Sequence, residues 1–317
     1  MAHITDYDDG ISAIDAEFIR PNATSIHLIV ENGHAAIVDT GSNDAVPIVL
    51  DALQRKGLAP EDVDYLVLTH IHLDHAGGAG LLMTKLPNAT LTVHPRGTRH
   101  ISDPRRLIEG TIAVYGEEAA RRLYGDIVPV PPDRIMQTRD RARISLNGRE
   151  LRFIDTPGHA RHCVSIVDGR TGHIFAGDTF GLSYRELDVD GRCFIFPTTS
   201  PVQFDPPTLH RSIELLERQR PEAIYVTHFS QVRDIPRVAA DLHRLLAAHE
   251  RMALEARAHN LHGEVRRAHL EERLTRLAIE ESKRQGWTLS EDGVLAVLNH
   301  DIGLNAQGLG DWLDSLG

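Results

Sequence analysis

The sequence predicts an α/β layered fold with a helical C-terminal extension, and three observations predict it. Short apolar runs alternate with amphipathic helical stretches through residues 25–226. Several of those runs end in histidine or aspartate. After about Pro236 the apolar spacing becomes purely helical.

The elements follow in order. Residues 25–39, SIHLIVENGHAAIVD, read as a hairpin about the two-residue turn Asn32-Gly33, which tolerates positive φ. Asp44–Lys56 reads as a helix, with Val46, Val49, Leu50 and Leu53 on one face and Gly57 just past its end. Residues 65–68 and 91–93 are short buried strands, and 104–124 is helical with weaker periodicity. Residues 151–154, 164–167, 173–175 and 223–226 read as strands, and 209–218 as a helix. Residues 187–207 fit no period, as a long functional loop would. Helical spacing then runs from Val238 to about Gln285, broken near 260–263, and a tail over 287–317 carries scattered apolar residues. The expected organisation is a catalytic domain over 1–235 and a helical appendage over 236–317.

Composition narrows the function classes. The chain has 317 residues, 34 basic against 45 acidic, for a net charge of -11. A nucleic-acid partner needs a basic stripe that is absent. No apolar run approaches the roughly 20 residues that span a bilayer. The opening MAHITDYDDG lacks the basic and apolar regions of a secretory signal. Cys163 and Cys193 are too few for a disulfide framework or a thiolate cage. A cytoplasmic location with both thiols free is therefore expected. Nineteen histidines are many for this length, and histidine is the commonest metal ligand.

The decisive segment is THIHLDHAGG, which sets His70, His72, Asp74 and His75 within six residues directly after the strand YLVL. Nitrogen and carboxylate donors suit Zn, Fe or Mn, and the lack of cysteine disfavours a purely structural zinc site. Gly77, Gly78 and Gly80 let the backbone turn sharply. Three more candidates close later strands: His159 through DTPGH, Asp178 through GD and His228 through TH. In open α/β sheets functional groups gather at the carboxyl ends of strands, so one shared edge could unite all seven.

Over residues 20–235 these motifs resemble the metallo-β-lactamase-fold hydrolases, especially the glyoxalase-II-like branch. The shared features are H-x-H-x-D-H at 70–75, TPGH at 156–159, GD at 177–178 and TH at 227–228. The resemblance implies a four-layer αββα sandwich holding divalent metals, two per chain, zinc first and iron or manganese as alternatives. It implies that His70, His72 and His159 hold one metal, that Asp74, His75 and His228 hold the second, and that Asp178 bridges them. Asp39, in VDTG, would steady the ligand loop from behind. His162 would sit beside the ligands without being one. Tyr184 is a candidate hydrogen-bond donor to the reacting oxygen, Arg185 is expected in solvent, and Phe194, Ile195 and Phe196 would line a pocket or fill the core.

The implied function is hydrolysis of an ester-like bond in a small molecule, a thioester first, by a hydroxide shared between two metals. Alternatives are a lactonase, a mononuclear iron persulfide dioxygenase and a metal-stabilised module without catalysis. The sequence THFSQV at 227–232 departs from the glyoxalase II pattern, and only Lys56, Lys85 and Lys283 are lysines, which leaves no obvious basic cradle for glutathione. The C-terminal helices would cover the site mouth or build a homodimer contact.

Overall fold

The structure, a computed structural model, describes residues 2–199 and 202–317. Ser200 and Pro201, within the irregular 187–207 stretch, lie outside the described residues, as does Met1. The first sheet runs β1 (Ile4–Asp6), β2 (Ile11–Asp15), β3 (Ser25–Glu31), β4 (His34–Val38), β5 (Val63–Val67), β6 (Thr90–Val93) and β7 (Ile135–Gln137), in that spatial order. Its first four strands are antiparallel, and the steps from β4 to β7 are parallel. Parallel neighbours need crossovers. These are α1 (Val46–Arg55), then α2 (Leu73–Ala76) with α3 (Ala79–Met83), then α4 (Pro95–Ser102), α5 (Arg105–Tyr115) and α6 (Glu117–Tyr124). The second sheet contains β8 (Arg143–Leu146), β9 (Arg149–Asp155), β10 (Val164–Asp168), β11 (Ile174–Gly177), β12 (Ile224–Val226) and β13 (Ser230–Val232), again in sequential order. The remaining helices are α7 (Pro206–Arg218), α8 (Ile235–Ala258), α9 (Gly263–Gln285) and α10 (Glu291–Ser315).

The β3–β4 hairpin turns as its sequence requires: Asn32 and Gly33 both take positive φ, 48° and 82°. The sheets face each other through Ile29, Val38 and Val67 on one side and Phe153, Ile166, Phe175 and Tyr225 on the other. The opposite face of the first sheet packs Ile26, Leu28, Ile37 and Leu66 against Val49 and Leu53 of α1 and Leu82 of α3. One buried arginine ties the layers. Arg149 of β9 makes two bonds to Asp168 of β10, at 2.8 and 2.5 Å, and lies 3.7 Å from Glu31 of β3. Burial would raise the Asp168 carboxyl, but the bonds from Arg149 and Thr171 outweigh it and lower it.

Several elements differ from the sequence-based expectation, three helical segments among them. The 104–124 helix is two helices, parted at Gly116, whose φ of +79° ends α5. An unforeseen helix, α4, precedes them, and the His94 ring accepts from the Arg96 N–H at its start. The tail over 287–317 holds a continuous 25-residue helix, α10, in spite of Gly293, Gly303, Gly308 and Gly310. Its buried Val294, Leu298, Ile302, Leu309 and Leu313 recur at helical spacing, so packing of that face outweighs the low propensity of glycine.

The chain divides into two compact units by its internal contacts. The first comprises 1–155, 162–177 and 225–230. The second comprises 156–161, 178–224 and 231–317, so the C-terminal helices share a unit with the segment that follows Asp178. Among the described residues no helix is long and apolar enough to cross a membrane.

Candidate metal centre

In the first unit the buried strand β5 delivers the histidine cluster. His70 lies in the loop after it, His72 caps α2 with extended backbone, and Asp74 and His75 occupy that helix's single turn. Glycine is required just behind. A Cβ on Gly77 would stand 2.4 Å from the Leu73 carbonyl, and one on Gly78 would stand 2.7 Å from that of Ser42. Only bare backbone lets the ligand turn sit this close to residues 41–42.

Asp39 organises the cluster from below. It is 1% exposed, and its Oδ1 accepts from the Thr69 N–H at 2.8 Å. Its Oδ2 accepts from Thr227 Oγ1 at 3.0 Å and from His75 Nδ1 at 2.9 Å. His75, with its proton on Nδ1, then presents the Nε2 lone pair forward. His228 is set in the same way, with Nδ1 donating to the Ala23 carbonyl at 2.9 Å. Both Nε2 atoms face Asp74 Oδ2, at 3.4 and 3.3 Å. Lone pairs aimed at a carboxylate repel unless a proton or a cation lies between them. One donor atom from each of Asp74, His75 and His228 lies within 4.8 Å of the others, a spacing that fits a divalent ion. Burial would raise the Asp74 carboxyl; a charge on His75, with hydrogen bonds from protonated His228 and His75, would outweigh it and hold it well below the usual carboxylate range, and a cation among the three groups acts in the same direction. His70 Nε2 and His72 Nδ1 face each other at 3.1 Å. The His162 ring lies parallel to that of His70, with centroids 6.1 Å apart.

In the second unit, His159 Nε2 lies 3.5 Å from Asp178 Oδ2. The turn carrying His159 is seated on α7. Gly158 has φ of +136°, and a Cβ there would fall 2.4 Å from Leu209 backbone atoms. Ser212 donates to the Pro157 carbonyl at 2.5 Å. His159 Nδ1 meets the Thr198 carbonyl at 3.2 Å. Thr198 carried no local sequence signal for this role.

Other expectations fare differently. Tyr184 is buried, and its hydroxyl stands 3.2 Å from both carboxylate oxygens of Asp301, so the phenol is already engaged. Arg185 is half-buried and engaged in bonds. It donates to the Ser183 and Gln231 carbonyls and pairs with Asp188 at 3.2 Å. Phe194, Ile195 and Phe196 are core residues, each at most 3% exposed, with Phe194 edge-on to Trp287.

Comparison with known proteins places this geometry. The profile of the metallo-beta-lactamase superfamily matches residues 19–228, two thirds of the chain. The chain belongs to the metallo-beta-lactamase superfamily. Within the superfamily it is similar to the metallo-beta-lactamase fold-containing protein ST1585 of Sulfurisphaera tokodaii, at 26% identity over 80% of this chain and 94% of that one. It is 30% identical to a hydroxyacylglutathione hydrolase of Xanthomonas campestris, over 56% of this chain and 51% of that protein. The crystal structure of ST1585 overlays with a TM-score of 0.64 at 21% identity, covering 96% of this chain and 99% of that one. The superfamily protein TTHA1429 of Thermus thermophilus gives 0.65 at 20% identity, covering 97% and 94%. At such identities the structural likeness establishes the fold alone.

Proposed function

We propose that the chain is a metal-dependent hydrolase of an ester-like bond, a thioester foremost, acting on a small molecule. In this reading His70, His72 and His159 would hold one divalent ion and Asp74, His75 and His228 a second. Asp178 would serve both, and zinc is the leading metal. The observation that carries it is the pair of back-anchored imidazoles whose Nε2 atoms face the Asp74 carboxylate. When bound, such a pair of ions would lower the pKa of a shared water toward neutrality and stabilise charge on a carbonyl oxygen. The chain's own residues do the rest. Asp39 and the Ala23 carbonyl fix the tautomers of His75 and His228, and Asp74, held ionised, offsets part of the metal charge.

The thioester preference is supported by the 30% identity to hydroxyacylglutathione hydrolases. A lactone with an acyl tail would call for an apolar lining such as 194–196 could offer, and those side chains are packed in the core. The test is metal analysis of the purified protein together with rates on acyl thioesters, with and without glutathione, and on lactones. Metal-dependent thioester cleavage, lost on Asp178→Asn, is the expected result. A fully metallated protein inactive on every member of that panel would refute the proposal.

A further inference from the structure

We propose that Asn305 of α10 is a positioning residue for the His159–Asp178 half of the metal centre, acting through Thr198. The inference rests on reading His159 and Asp178 as ligands. The chain leaves Asp178, runs outward, and returns beside it at Thr198, whose Oγ1 donates to the Asp178 carbonyl at 3.0 Å. That hydroxyl has thereby spent its proton, so toward His159 Nδ1, 3.2 Å away, it offers only a lone pair. The Thr198 carbonyl, also at 3.2 Å, is an acceptor too. Both contacts demand a proton on Nδ1, which leaves the Nε2 lone pair forward, beside Asp178 Oδ2. Thr198 thus sets the tautomer of one ligand while gripping the backbone of another.

Asn305 holds Thr198 in place. Its Nδ2 donates to the Pro197 carbonyl at 2.9 Å, and its Oδ1 accepts from the Thr199 N–H at 2.7 Å. One carboxamide therefore brackets Thr198 from both sides, as a neighbouring strand's peptide group would. Thr199 Oγ1 adds a bond to the Asn305 backbone carbonyl at 3.1 Å. Asn305 is 2% exposed, so no solvent replaces these bonds if the side chain is removed. One helical turn earlier, Asp301 takes the Tyr184 hydroxyl, so the same face of α10 holds the outgoing limb as well. The limbs are joined to each other by the reciprocal Leu182–Phe196 backbone bonds, both 2.9 Å. Gly181 makes that pairing fit, because a Cβ there would lie 2.4 Å from the Phe196 carbonyl oxygen.

The test compares Asn305→Ala, Asn305→Asp and Thr198→Val with the parent full-length protein. Zinc affinity is read by chelator competition, the His159 tautomer by nitrogen-15 NMR, and apo-protein melting separately. Asn305→Ala should weaken the affected zinc by about tenfold to a hundredfold and broaden or shift the His159 signal. Asn305→Asp, which turns an oxygen toward the Pro197 carbonyl, should do the same. Thr198→Val, which keeps its carbonyl, should show a smaller loss in the same direction. Leu298→Ala, a core change elsewhere on α10, should lower melting without altering zinc affinity. If the Asn305 variants lower only melting and keep parental zinc affinity and the parental His159 tautomer, Asn305 is structural and the proposal fails. Failure of the underlying ligand reading looks different: His159→Ala and Asp178→Asn would then themselves leave parental zinc stoichiometry and affinity unchanged.

Discussion

At the scale of single residues, the centre depends on which nitrogen of each imidazole carries its proton. Asp39 decides this for His75, and its carboxylate also gathers Thr69 and Thr227. Asp39→Asn keeps the shape but replaces one anionic acceptor by an amide, and metal affinity should fall by about tenfold to a hundredfold in a chelator titration. Affinity equal to the parent's would show that the histidine is fixed some other way. Asp39 and the six-residue histidine cluster were legible because their chemistry is concentrated in short motifs at strand ends. Thr198 and Asn305 were not. Each contributes through contacts made by the folded chain, and Asn305 stands 127 positions after Asp178 with nothing local to mark it. Tyr184 shows the converse: proximity to Asp178 in sequence suggested a catalytic hydroxyl, while Asp301, distant in sequence, engages it.

At the scale of elements, the strands that present ligands were readable from apolar runs, and the β3–β4 hairpin from its Asn-Gly turn. Helix α10 was obscured by its glycines, β1 is only three residues long, and β2 buries the polar Ser12 and Asp15, so it does not stand out as an apolar run. The joint between the His159 turn and α7 offers a sharp test. Gly158→Ala must place a methyl against Leu209 backbone at an already left-handed φ, so the turn or the helix must shift. Thermal denaturation should register a loss of more than about 1 kcal/mol, and metal affinity should drop along with it because His159 is the next residue. A variant as stable as the parent would mean that the turn and α7 are not in register contact.

At the scale of the whole molecule, buried histidines away from the centre make the fold acid-sensitive. Burial holds His27 and His249 at about 4, against the Asp39 charge in the first case and the Leu245 carbonyl bond in the second, both of which pull upward. Each is neutral in the native state at pH 7. The unfolded chain gains these protons below about pH 6.5, which the native state refuses until about pH 4. Their stabilisation is therefore complete above about pH 6.5 and is lost as pH falls from there toward 4. At pH 5 the loss is roughly 2 kcal/mol per histidine. Urea unfolding at pH 7 and pH 5 should show this loss, and His249→Leu should make it smaller; an unchanged pH difference in the variant would contradict the assignment. The measurement that bears most directly on the centre itself is diffraction from metal-replete crystals, with anomalous data at the zinc, iron and manganese edges. The expected result is one anomalous peak beside Asp74, His75 and His228 and a second beside His70, His72 and His159, with Asp178 next to both. Metal-replete crystals with no anomalous peak on Asp74, His75 or His228 would contradict it.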